Sequence, residues 1–206
     1  MIQGSTESLS KFRVYGSVVL GYLLTWLGYP FYTAMGGDYN AYLIYTTSRL
    51  LGYDKLAAEW LVKQSRLETG HWKNPNGVYA KGTNNLFGMR VPATRATWNS
   101  GVYDSGTNGK FLKYSCLGQS IADRALRDDN FGIPFADGGY IGHLSRSKYT
   151  SDVNYYAIVT SMASGINQSL AVTAVVVYSV LFALFIVYYL KKGKRRFSKN
   201  ARFGRR

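Results

Sequence analysis

Residues 170–190 (LAVTAVVVYSVLFALFIVYYL) run for twenty-one positions without a charged side chain, the strongest constraint on what this chain can fold into. A helix of that length rises about 30 Å, roughly the thickness of a bilayer's hydrocarbon core. The run therefore reads as a transmembrane helix. Lys191, Lys192, Lys194, Arg195 and Arg196 follow it as a stop-transfer cluster, and Tyr188 and Tyr189 stand where interfacial aromatics belong.

Residues 191–206 hold nine Lys or Arg and no acid, a large share of the formal net charge of +14. The positive-inside rule places such a tail on the inner side of a membrane and the preceding domain on the outer, periplasmic side. There the tail would meet anionic lipid, or nucleic acid through its phosphates without sequence preference. Residues 14–32 form a weaker apolar stretch preceded by Lys11 and Arg13, and a second span is expected there. A signal peptide and a hydrophobic helix packed beside the domain are the alternatives. The expected organisation is an N-terminal segment (1–37), one domain (38–168), a transmembrane helix (169–190) and a basic tail (191–206).

Inside the domain, residues 55–67 carry Leu56, Ala57, Trp60, Leu61 and Leu67 at helical spacing, and Gly70 ends the helix. Glu68 follows Ala57, Leu61 and Gln64 along one stripe, whereas Glu59 lies about half a turn away. A carboxyl in the last turn sits against the negative end of the helix dipole, and burial beside Trp60 or Trp72 adds to the same effect. Both favour the protonated form, which suits a general acid. Helices are also expected at 39–51, 117–128 and 153–164, with a loop or hairpin tip near residues 98–106, where Gly101 and Gly106 punctuate the chain. A single cysteine, Cys116, excludes an internal disulfide. His71 and His143 have no Cys or acid cluster around them, so neither a metal nor a cofactor is expected.

Leu67-Glu68-Thr69-Gly70 and Asn84-Asn85-Leu86-Phe87-Gly88-Met89 resemble the signatures of the bacterial and phage glucosaminidase family, lysozyme-like hydrolases of peptidoglycan. Ser120-Ile121-Ala122-Asp123 and Tyr149-Thr150-Ser151-Asp152-Val153-Asn154-Tyr155 resemble two further family elements, in the same order. The resemblance implies an α+β, mainly helical lysozyme-like domain with a small hairpin or loop insert. It also implies that Glu68 is the catalytic acid, that Tyr149 lines the cleft near it, and that Asn85, Phe87 and Gly88 shape the cleft wall. From composition alone, Phe87 could equally be core and Asn85 a turn former.

Many members of that family carry a second glutamate in the hairpin segment, and this chain has no Glu after residue 68. Asp104 is the acid available there, either as a second catalytic group or as a turn residue. A lone acid leaves room for assistance by the substrate's own 2-acetamido group. Trp72, Trp98 and Tyr103, with Tyr79 and Tyr114, are candidate platforms for sugar rings. The function expected is a membrane-anchored peptidoglycan hydrolase of the N-acetylglucosaminidase type. Its setting would be the internal membrane of a phage virion that opens the wall locally, or a bacterial inner membrane. A lytic transglycosylase or muramidase on the same fold, and an inactive peptidoglycan-binding membrane protein, are the alternatives.

Overall fold

The computed structural model describes residues 11–34, 36–133, 140–146, 149, 150, 152, 154–167, 173, 176, 177 and 180–191. Six α-helices carry the architecture: α1 (Lys11–Ala34), α2 (Tyr39–Leu51), α3 (Lys55–Thr69), α4 (Leu117–Asn130), α5 (Tyr140–Arg146) and α6 (Tyr155–Ser161). Between α3 and α4 two short antiparallel strands, β1 (Gly101–Asp104) and β2 (Lys110–Lys113), make the sheet of the described residues.

Helices α2 and α3 begin and end where side-chain chemistry dictates. Asp38 caps α2 by accepting from the Asn40 and Ala41 amides, and Asp54 caps α3 by accepting from Ala57. Gly52 (φ 106°) and Gly70 (φ 58°) close the two helices in the left-handed region, where a Cβ would be strained. Their apolar faces meet α4 in a core that includes Leu43, Ile44, Leu61, Leu86, Ile121 and Ala125, all fully buried.

The hairpin pairs Val102 with Leu112 and Tyr103 with Phe111. Residues 89–91 run along the free edge of β2, through Leu112 N–H to Met89 O (2.9 Å) and Val91 N–H to Lys110 O (3.1 Å). The Asn84–Met89 segment is thereby fixed to the hairpin at one end and to α4 at the other.

The fold corrects the expected architecture of an α+β domain between two membrane spans. The protein is mainly helical with little sheet, and among the described residues no helix is long and apolar enough to cross a membrane. Residues 14–32 belong to α1, which packs on α2 and α4. Val14, Ser17, Val18, Thr25 and Tyr32 form its buried stripe. Gly21 lies so close to α2 that a Cβ there would stand 2.1 Å from Thr47 Oγ1, and Tyr32 stacks on Tyr42 at 3.6 Å. Glycines, hydroxyls and Pro30 lower the hydropathy of α1, and its apolar side chains divide between the core and the surface.

Residues 180–191, the longest described part of the second run, are helical. The expected membrane location and outward-facing domain rested on these two spans, and the described residues hold no helix long and apolar enough to cross a membrane. The remainder of the expected span, the tail beyond Lys191, the first ten residues, and Ser151 and Val153 of the fourth motif lie outside the described residues.

Candidate active site

Glu68 occupies the penultimate position of α3 and is half-buried at one end of a cleft of about 950 Å³. Phe87, Gly88, Tyr149, Thr150, Arg127 and Phe131 line the cleft around it, with Arg90, Arg95 and Phe111 further along. The volume lies at the upper end of the ligand-pocket range, roughly 300–1,000 Å³. Among the described residues lining the cleft Glu68 is the sole acid.

Two elements hold its carboxyl. Tyr155, at the first position of α6, donates its hydroxyl to Glu68 Oε1 at 2.6 Å. On the other side Gly88 (φ 59°) presents bare backbone to Oε2, and a Cβ there would come within 2.8 Å of that oxygen. With Oε1 engaged as an acceptor, the acidic proton belongs on Oε2, the oxygen that faces Gly88. Burial pushes the Glu68 carboxyl above its ordinary value, opposed by the Tyr155 hydrogen bond and by the nearby Arg124 guanidinium, and burial prevails. The enclosing residues are those of α6 and the 87–88 turn rather than Trp60 or Trp72.

The chain after Glu68 is strained. Gly70, His71 and Trp72 all adopt positive φ (58°, 56° and 61°), which costs a non-glycine residue about 1–2 kcal/mol. Three hydrogen bonds hold the turn: Thr69 Oγ1 donates to Ser65 O (2.6 Å) and accepts from Trp72 N–H (2.9 Å), and Trp72 Nε1 donates to Ser65 Oγ (3.0 Å). Trp72 is thus the anchor of the turn that fixes the end of α3, and it lines neither described cavity. Arg66 reaches from α3 to Ala163 O and Lys63 to Thr160 O, tying α6, and with it Tyr155, to the helix that bears Glu68.

The other motif residues divide between lining and bracing. Tyr149 lines the cleft, but its hydroxyl is spent on Phe87 O at 2.6 Å, and its ring is contacted by the guanidiniums of Arg124 (4.4 Å) and Arg127 (4.7 Å). Burial and the Glu68 charge raise its pKa, so it stays a neutral wall that locks the 87–88 turn. Phe87 and Gly88 line the cleft as the resemblance implies. Asn85 is a correction as a sugar contact. It is buried, its amide donates to Met89 O and Leu112 O, and its carbonyl accepts from Met89 N–H, all at 2.9 Å.

Ser120 accepts from Leu86 N–H, and Asp123 gathers Arg95 through both carboxylate oxygens, Trp98 N–H and the Tyr114 hydroxyl. These two residues of α4 hold the loops that form the cleft's far wall.

Of the two readings of Asp104, second acid or turn residue, the structure corrects the first: it is a turn residue. It is exposed at the hairpin tip, accepts from Gly106 N–H at 2.9 Å, and lines neither cavity. Trp98 packs edge-on against Tyr15 of α1 at 4.3 Å rather than facing a cavity. Tyr114 is core. Tyr103 lines a smaller cavity of about 210 Å³ that shares Arg90 and Phe111 with the Glu68 cleft. Sequence reasoning places Tyr155 in a motif without a role, and it misses Arg124, Arg127 and Asp128. Arg124 and Asp128 stand at the i, i+4 spacing of a helical ion pair, which is a visible signal.

Comparison with family models, curated proteins and solved structures returns no match. The glucosaminidase resemblance therefore rests on four short motifs and on what their residues do in the fold.

Two substitutions test the geometry. Gly88→Ala forces Glu68 Oε2 aside and strains the backbone. Any glycan-cleaving activity of the cleft is expected to fall about 10²-fold, with a stability loss of about 1 kcal/mol in a denaturant melt. Tyr155→Phe removes a donor that favours the carboxylate, so the Glu68 pKa rises further. An acid catalyst works while protonated, so the alkaline limb of the activity–pH profile should move to higher pH, while the maximal rate drops roughly tenfold or more.

Proposed function

We propose that this protein is a peptidoglycan glycosidase of the N-acetylglucosaminidase type with Glu68 as its general acid. The observation that carries the reading is the setting of Glu68: a carboxyl whose pKa burial raises, gripped on one oxygen by Tyr155 and facing a glycine-lined cleft with the other.

Because Glu68 is the sole acid among the described lining residues, substrate assistance suits the site better than a carboxylate pair. The 2-acetamido oxygen of the sugar attacks its own anomeric carbon, the glycosidic C–O bond breaks, and the Glu68 proton passes to the departing oxygen. Water then displaces the acetamido oxygen from the anomeric carbon of the oxazolinium, restoring the acetamide, and the water's proton returns to Glu68. Between the two steps the carboxylate is stabilised by the Tyr155 hydroxyl and the field of Arg124, groups already in place before the charge appears.

Digestion of purified cell walls, reduction of the new ends with borohydride and mass analysis of the fragments test the reading. Reduced N-acetylglucosamine ends are expected. Anhydromuramyl ends would instead mark a lytic transglycosylase, reduced muramic ends a muramidase, and an absence of new ends a protein that does not cut glycan.

A further inference from the structure

Two apolar helical faces stand exposed among the described residues. The first is the outer side of α1, where Tyr15, Val19, Leu23 and Trp26 fall within about 80° of one another around the helix axis. All four are exposed, Val19 by 66% and Trp26 by 67%, although the edge of the Tyr15 ring also meets Trp98. They lie opposite Val14, Val18, Thr25 and Tyr32, which α1 buries. No charged residue occurs from Val14 to Ala34.

The second face is the helix of residues 180–191. Each of its residues is exposed, and Phe182, Phe185, Ile186 and Tyr189 make one stripe at i, i+3, i+4 and i+7 spacing. A helix that is apolar all round is ordinarily buried, and a contiguous exposed apolar patch marks a site of association.

The two faces suit each other. Residues 15–26 and residues 180–190 each rise about 15–17 Å along a helix, and neither stripe carries a charge that packing would have to desolvate. Trp26, large and two-thirds exposed, has the character of an interface anchor. The side chains of the two stripes, at roughly 100 Å² each when half-exposed, offer about 800 Å² per chain, the area that a stable interface takes from each partner.

We infer that two copies of this chain pair by laying the 180–190 helix of each along the Tyr15–Trp26 stripe of the other. Within one chain both faces stand exposed, so their cover comes from outside it, and a second copy supplies a surface of matching length and character to each. The exchange is reciprocal and closes on a twofold axis, leaving neither stripe free to recruit a third copy. It stands apart from the glycosidase reading, since no residue of either stripe lines the Glu68 cleft.

Sedimentation equilibrium of the full-length chain in detergent-free buffer is expected to give twice the chain mass. Val19→Glu with Trp26→Glu, and separately Phe185→Glu, should each raise the dissociation constant at least about a hundredfold, with the helical circular dichroism signal unchanged. In a Cys116→Ser background, a chain carrying Leu23→Cys mixed with one carrying Ile186→Cys should form the mixed disulfide in preference to either homodisulfide.

A monomeric wild type, an indefinite aggregate, or a dimer that survives either set of charged variants overturns the pairing. Preference for the Leu23→Cys homodisulfide overturns it in favour of α1 against α1. A monomer in which both cysteines, placed on one chain, close on each other shows that the helix covers its own α1. A monomer that floats with neutral phosphatidylcholine vesicles gives the two faces to lipid instead.

Discussion

Asp128→Asn is expected to cost about 3–5 kcal/mol of folding stability, a severe loss for a single domain. Asp128 is fully buried on α4 and accepts from Arg124 Nε, Arg127 Nη1, the Tyr53 hydroxyl (2.8 Å) and the Tyr140 hydroxyl. It is the carboxylate that both buried guanidiniums share, and with its charge gone it no longer offsets the repulsion between them. An asparagine has one acceptor oxygen for four donors, so hydroxyl and guanidinium protons are left without partners as well. The network joins α2–α3 (Tyr53), α4 and α5 (Tyr140), and Arg124 and Arg127 in turn support the Tyr149 ring. Loss of stability and loosening of the cleft wall are therefore coupled. Urea melts of the full-length chain measure the effect. A loss below about 1 kcal/mol would show that this network does not hold the three elements together.

The parts of the fold that were legible in the sequence are those set by neighbours along the chain. Gly70 marks the end of α3, and the limits of α2 and α3 are those the helical spacing predicts. The glycines near residue 101 and residue 106 locate the hairpin. Glu68 could be placed on the inward stripe of its helix for the same reason.

What was not legible depends on contacts distant in sequence. Tyr155 and Glu68 are 87 residues apart, and Tyr53 and Asp128 are 75 apart. No local pattern says that α6 ends its approach at Glu68, or that one carboxylate serves two arginines. The reading of residues 14–32 failed for a related reason. An apolar helix in lipid and one packed on protein share their mean hydropathy over much of their length. The distinguishing sign is a single stripe of small and hydroxyl side chains, Ser17, Gly21 and Thr25, in which Gly21 lies against Thr47 and Ser17 bonds Leu50 O of α2. For Asp104 the turn reading holds over the catalytic one, since an acid in a glycine-rich tip satisfies a turn amide before it can serve chemistry.

Glu68→Gln carries the largest expected effect on activity, a loss of about 10²–10⁴-fold in muropeptide release, the range for removing a general acid. The amide matches the carboxyl in shape and keeps the Tyr155 hydrogen bond, so the cleft should be unchanged. Stability provides an independent check with a defined sign. Because burial raises the Glu68 pKa, the native state binds this proton more tightly than the unfolded chain. Its contribution to stability is complete below the unfolded-state pKa and is lost as pH rises through the native value. A glutamine does not titrate, so the variant should melt at or above the wild-type temperature at pH 8, with the advantage shrinking as pH falls toward 4. A melting curve with the reverse dependence would mean that the carboxylate, not the acid, is the form the fold prefers.

The general-acid role of Glu68 is tested most directly by soluble muropeptide release from purified cell walls, using the full-length chain, wild type against Glu68→Gln, at a pH where both are folded. Release by the wild type and a loss of at least about a hundredfold in the variant are predicted. Equal release by the two proteins would contradict that role, and so would a folded wild type that releases nothing.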